Sequence, residues 1–130
     1  MGSEMCIRDS SQTPATLAAA LRAIEVLDEE PQRAQNLQHN VEFFLNALHV
    51  EGVEAYSPTA IIPIIIGDEK SALQVADELL ANGVLAPAIR YPTVAKGTAR
   101  LRVALMATHT EAELSQTAKL IGAAIRKHKK

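Results

Sequence analysis

The chain has 130 residues, 48% hydrophobic and 22% charged, with a formal net charge of −2, which is enough for one domain with a buried core and is not the balance of a disordered chain. A slightly acidic total favours neither nucleic acid nor an anionic membrane as a partner. The longest apolar run, Ala60 to Ile66, is interrupted by Pro63 and is far too short to span a bilayer.

Residues 1–10, Met1-Gly2-Ser3-Glu4-Met5-Cys6-Ile7-Arg8-Asp9-Ser10, carry no helical or strand period and no apolar signal stretch. They resemble a translated adapter segment and are set aside as a non-native leader; if so, the remainder is expected to be a fragment of a longer natural chain. Cys6 is the single cysteine, so no internal disulfide forms, and a reducing, cytoplasmic setting fits. With aromatics at 3% and no Trp, the core has to be built from Ala, Leu, Ile and Val.

The spacing of Leu17, Leu21, Ile24 and Leu27 predicts a helix from Thr13 to Leu27, with Thr13 as N-cap and Pro14 at the first helical position. A second helix is expected from Gln32 to Leu48, with Ala34, Leu37, Val41, Phe44, Leu45 and Leu48 on one face. Each presents one apolar stripe and needs something to pack against. After Gly52 the pattern changes. Ile61 to Ile66 reads as a buried strand, with Pro63 marking an edge or bulged position. Asp68 to Asn82 is a helix with Leu73, Ala76, Leu79 and Leu80 inward, stopped by Gly83. Val84 to Ile89 is a second strand, Arg90 to Gly97 a loop, and Ala99 to Met106 a third strand. Thr110 to Lys127 is a helix opened by a capping box of Thr110 and Glu113, with Leu114, Ala118, Ile121 and Ile125 buried. The predicted class is α+β: a small, three-stranded, mainly antiparallel sheet with helices on one side, preceded by two helices. The predicted organisation is a leader (1–10), a helical lead-in (11–51) and a C-terminal α+β unit (52–130).

Strand alternation puts Leu101, Val103 and Leu105 on one face of the third strand, and Arg100, Arg102, Ala104 and Met106 on the other. The apolar face has to meet the helices. On spacing alone, a solvated face is the simpler reading of the arginines, and a carboxylate grip is the functional one. The four histidines, His39, His49, His109 and His128, have no metal-ligand spacing, so no metal site is expected. His109 reads as a hydrogen-bonding residue before the capping Thr110. The basic end, Arg126 to Lys130, reads as a helix terminus near the negative dipole pole.

Several pieces together resemble one family. They are Thr59-Ala60-Ile61-Ile62-Pro63, Ile66-Gly67-Asp68, Ala88-Ile89-Arg90 with Pro92-Thr93-Val94, Gly97-Thr98-Ala99-Arg100-Leu101-Arg102, and Ala107-Thr108-His109-Thr110. They are similar to the C-terminal small domain of the α-oxoamine synthases, fold-type I enzymes that use pyridoxal phosphate. The wording is closest to the branch that makes 8-amino-7-oxononanoate, with glycine C-acetyltransferases next. The resemblance implies that the parent protein condenses an amino acid, L-alanine in the oxononanoate branch, with an acyl-CoA or acyl-carrier-protein thioester, with decarboxylation, as a homodimer in biotin biosynthesis. It implies that Arg102 binds the amino-acid carboxylate. By alignment it also implies that Ser11 contacts the cofactor phosphate of the neighbouring subunit. The family's Schiff-base lysine, its pyridine-binding aspartate and its ring-stacking histidine have no counterpart here. No catalytic residue is therefore expected in this chain, no cofactor is expected on it alone, and the isolated chain is expected to be inactive. A reading from another class is a free-standing α+β module that binds a small carboxylate or mediates assembly.

Overall fold

The computed structural model describes residues 11–129, so the leader expected at 1–10 lies outside the described residues. Helix α1 (Pro14–Glu29) starts as the sequence predicts. The Thr13 side chain accepts the N–H of Thr16, and Pro14 sits in the first turn, where its missing N–H breaks no helical bond. Leu17, Leu21, Ile24 and Leu27 are each more than half exposed, so the stripe is present and uncovered. The chain divides into two compact units, one ending at Ala34 and one running from Gln35.

Helix α2 (Gln32–Val50) carries the chain into the second unit. It buries Val41, Phe44 and Leu48, while Leu37 and Leu45 are half-buried and Ala34, placed on the same stripe by spacing, is exposed. It also buries Asn40. A buried amide has to find acceptors, and Asn40 Nδ2 donates to the carbonyls of Met106 and His109, both at 3.0 Å. That fastens the 106–109 turn to α2.

The sheet contains β1 (Ile61–Gly67), β2 (Ala88–Ile89) and β3 (Ala99–Ala104), in the order β1-β3-β2 with both pairings antiparallel. Ile62 lies opposite Val103 and Ile64 opposite Leu101. These four are buried on the inner face. The inner layer is closed by α3 (Glu69–Ala81), through Ala72, Val75 and Leu79, and by α4 (Glu111–His128), through Leu114, Ala118 and Ile121. The expected α+β architecture with helices on one side is what forms.

Pro63 has a clear place in this register. Arg102, its cross-strand partner, donates its N–H to Pro87 O on the β2 side at 2.9 Å. The Pro63–Arg102 pair is therefore non-hydrogen-bonded, and the Pro63 nitrogen faces the free edge of β1, where a donor is not needed. Two residues along, the outward C=O of Ile61 accepts the Ser57 hydroxyl at 2.7 Å. The edge of this isoleucine-rich strand is thus blunted against pairing with another chain.

Three expectations need correction. The second strand is Ala88–Ile89, not Val84 to Ile89. Pro87 has no N–H to extend the ladder, and Leu85 is exposed. The third strand ends at Ala104 rather than Met106, although Leu105 N–H still reaches Ala60 O at 2.9 Å. On α3, Leu73 and Leu80 are exposed, and the buried stripe is Ala72, Val75 and Leu79. The two stripes have the same helical period, offset by one residue. The bulk of the leucines pointed to the wrong one, whereas the sheet accepts the smaller Ala72 and Val75.

The helix starts are set by carboxylates and hydroxyls. Asp68 caps α3 by accepting the Ser71 N–H at 2.8 Å and the Ser71 hydroxyl at 2.9 Å. The predicted capping box of α4 is present: Thr110 accepts the N–H of Glu113, and Glu113 accepts the N–H of Thr110. Near the end of α4, Glu78 of α3 receives His128 Nε2 at 2.5 Å and Lys127 Nζ at 3.1 Å. These contacts hold three carboxyls below their ordinary range: Asp68 chiefly through the Ser71 N–H, Glu113 chiefly through the Thr110 N–H, and Glu78 chiefly through His128. A carboxyl whose folded pKa is depressed stabilises the fold above its unfolded value, here 3.8 for Asp and 4.5 for Glu. That contribution disappears as pH falls through the folded values. The thermal midpoint should therefore hold steady down to the ordinary carboxyl range and drop below it, less steeply in Asp68→Asn and Glu113→Gln. A midpoint that stays level or rises through the acid range would contradict this.

Gly122 of α4 is buried against Glu51, the residue that follows α2. A Cβ there would lie 2.9 Å from the Cβ of Glu51. Alanine normally improves a helix interior by about 1 kcal/mol over glycine, whereas overpacking costs about 1–3 kcal/mol. Gly122→Ala should therefore lower stability in a urea titration, and a gain would show that Glu51 moves aside freely.

Candidate functional site

β3 is the central strand, and its alternation sorts the side chains as the sequence predicts. Ala99, Leu101 and Val103 are buried, while Arg100 is half-buried and Arg102 exposed on the opposite face. Cross-strand neighbours on that outer face are apolar: Ile65 and Ile89 oppose Arg100, and Pro63 opposes Arg102. Arg22, Arg33 and Arg126 each hold a carboxylate within 4.0 Å, whereas Arg90, Arg100 and Arg102 hold none among the described residues. The Arg102 guanidinium has no acceptor among the described residues, so within them its whole donor fork is open. A planar fork bordered by Pro63 and Ile65 suits a carboxylate, which it can bind through two parallel bonds.

The two arginines differ in what holds them. Arg100 Nε donates to Thr98 O at 3.2 Å, which turns its side chain toward the preceding loop. That loop is closed on itself: Thr98 donates to Ala95 O through its N–H at 3.2 Å and its hydroxyl at 2.6 Å. Gly97 sits inside this turn at φ +75°, a conformation that L side chains adopt with strain. Lys96 lies over the Tyr91 ring, 5.0 Å from its centroid.

The other predicted residues fall as follows. His109 Nδ1 accepts the Met106 N–H at 3.1 Å, a turn-closing role that leaves it outside the arginine face. Ser11 is exposed and belongs to the first unit, whereas Arg102 belongs to the second. Among the described residues no group of three or more His, Cys, Asp or Glu side chains gathers to hold a metal. Sequence reasoning missed Asn40, whose signal was a polar residue on the apolar stripe of α2. It also missed the anchoring of Arg100 to Thr98, for which the only sequence signal was Gly97 two residues before the strand.

Known proteins resemble this chain in sequence and fold. Residues 1–121 match the family described as aminotransferase class I and II. The chain belongs to that family. Within it, the chain is 45% identical over 113 residues to 8-amino-7-oxononanoate synthase 1 of Bacillus subtilis, covering 86% of this chain and 29% of the relative. It is 41% identical over 108 residues to the 8-amino-7-oxononanoate synthase of Symbiobacterium thermophilum, covering 82% and 28%. Among solved family structures it is similar to serine palmitoyltransferase from S. paucimobilis with a bound PLP–myriocin aldimine, at a TM-score of 0.80 and 26% identity, over 91% of this chain and 30% of that one. It is also similar to 8-amino-7-oxononanoate synthase from Francisella tularensis, at a TM-score of 0.75 and 25% identity, over 92% and 35%. The resemblance to the α-oxoamine synthases is borne out. The chain spans less than a third of the length of these curated relatives.

The described residues do not fit the cofactor by themselves. A lysine that forms an imine is activated by desolvation or by a neighbouring cation in a closed site. Lys70, Lys96, Lys119, Lys127 and Lys129 are all exposed. What this chain offers is a guanidinium on an open sheet face.

Proposed function

We propose that this chain is the carboxylate-binding small-domain part of a pyridoxal-phosphate-dependent acyltransferase of the 8-amino-7-oxononanoate synthase type. Residues 11–51 are the helical lead-in and 52–130 the small domain. The parent condenses an amino acid, L-alanine, with an acyl-CoA or acyl-carrier-protein thioester and releases carbon dioxide in biotin biosynthesis. The observation that carries this reading is Arg102, an unpaired guanidinium on the open, apolar face of the sheet. When bound in the parent, the cofactor supplies an electron sink for the carbanion at the amino-acid α-carbon. Arg102 fixes the substrate carboxylate, which sets the orientation of that carbon. Ser11 contacts the cofactor phosphate of the neighbouring subunit in a homodimer. The uncovered stripe of α1 and the open sheet face await the rest of the longer protein. The setting is cytoplasmic, consistent with no helix among the described residues being long and apolar enough to cross a membrane.

A spectroscopic titration tests the division of labour. Pyridoxal phosphate added to the chain should show only the weak, non-saturating lysine adduct of any protein with exposed lysines. A stoichiometric, saturable lysine-linked absorbance band would overturn the proposal that the reactive lysine lies elsewhere.

A further inference from the structure

Charge on this chain is unevenly placed. From Leu79 to Thr110 the sequence has no Asp or Glu, yet it holds Arg90, Lys96, Arg100 and Arg102, in a chain whose net charge is −2. None of these four has a carboxylate within ion-pair distance among the described residues, whereas the arginines elsewhere in the described chain all do. An acidic protein that leaves the cations of one stretch without carboxylates keeps a local positive field there, even with the Lys96 ammonium over the Tyr91 ring. A zwitterionic amino acid requires one guanidinium, and Arg102 supplies it. The rest of the positive charge is surplus to that task.

The bond from Arg100 to Thr98 separates the two strand arginines. Arg102 projects from the middle of β3 with its fork open. Arg100, two residues away and on the same face, is turned to the loop by its bond to Thr98 O, which uses Nε and leaves the terminal nitrogens. At the same corner, the Ala95–Thr98 turn carries Lys96, and the N–H groups of Lys96 and Gly97 have no acceptor among the described residues. Lysine, arginine and free turn amides in one corner form a donor set for a phosphate.

Resting on the proposed acyltransferase reading, we propose that Lys96, Arg100 and the turn amides between them form a phosphate subsite for the phosphate-bearing acyl-thioester donor, separate from the carboxylate grip of Arg102. The donor's phosphates dock at the loop corner while the amino-acid carboxylate docks on the strand. The two substrates thereby enter on the same sheet face without competing for one cation. Removal of either cation weakens the phosphate without touching the carboxylate.

The test is a ¹H–¹⁵N NMR titration of the 130-residue chain with coenzyme A, inorganic phosphate and L-alanine in separate series. Coenzyme A should shift the amides of Ala95 to Arg100, saturably and less tightly at high salt. Lys96→Gln and Arg100→Gln should each weaken it by about fivefold or more, with Arg102→Gln nearly neutral. Inorganic phosphate should shift the same amides more weakly. L-alanine should move Arg102 and its neighbours and be indifferent to Lys96→Gln, an exposed change that leaves the fold intact. Shifts from coenzyme A that lie elsewhere, that are absent at millimolar concentration, or that depend on Arg102 as much as on Lys96 would overturn the subsite. Phosphate matching coenzyme A in affinity would overturn its assignment to the thioester donor. If coenzyme A binds the corner while L-alanine ignores Arg102, the carboxylate reading fails and the phosphate subsite stands.

Discussion

Phe44→Ala should remove about 3–5 kcal/mol of stability, out of the roughly 5–15 kcal/mol that a natural domain possesses. Phe44 is the largest side chain in the core and is 0% exposed. It projects from α2 beside Val41 and Leu48 into a cluster whose other members are aliphatic, such as Ile62, Ile64 and Leu101. Aliphatic neighbours locked in a sheet cannot collapse into the space a ring leaves, so the loss includes a cavity as well as the transfer term. Leu21→Ala is the matched control. Leu21 belongs to an equally regular helical stripe but is 60% exposed, so its loss should cost less than about 1 kcal/mol in the isolated chain. Urea unfolding of the two variants separates them. Equal costs would mean that α1 is covered and that the core is not centred on α2.

Arg102→Ala should abolish most of the selectivity of this face for carboxylates, weakening L-alanine or acetate binding by about tenfold, which corresponds to about 1.4 kcal/mol. That figure is below what a buried charge pair would lose, because Arg102 is exposed and water screens part of the interaction. Arg102→Lys distinguishes fork from charge. It keeps the cation but replaces two parallel donors by one point charge, so it should recover only part of the affinity. Full recovery by lysine would show that the site reads charge alone. Arg100→Ala should leave the carboxylate nearly unaffected, since the bond from Arg100 Nε to Thr98 O turns its side chain toward the loop.

Much of this arrangement was legible in the sequence where a residue carries its own geometric rule. Thr110 and Glu113 announce a capping box because the hydroxyl and the carboxylate each satisfy a free N–H. Pro63 announces an edge because it has no N–H to give a ladder. The alternation of Arg100, Leu101, Arg102 and Val103 settles which face the arginines occupy. What the sequence left open depends on partners distant along the chain. Two offset stripes on α3 have the same period, and only the sheet decides between Leu73 and Leu80 on one hand and Ala72 and Val75 on the other. Asn40 looks like a break in an apolar stripe until the carbonyls of Met106 and His109 arrive to satisfy it. Whether Arg102 is solvated or poised to bind could not be read from spacing, because that depends on the absence of a carboxylate on three strands at once. The family resemblance implies a role for Arg102, and among the described residues its guanidinium has no carboxylate partner, which leaves that proposed role open to it.

The most direct measurement of the central claim follows the side-chain Nε–H resonances of the arginines while L-alanine is added to the chain. Arg102 should shift saturably, with Arg22 and Arg126, already paired to carboxylates, unmoved. If all arginines drift together without saturation, or if the paired ones respond while Arg102 does not, the outer face of the sheet is not a carboxylate grip.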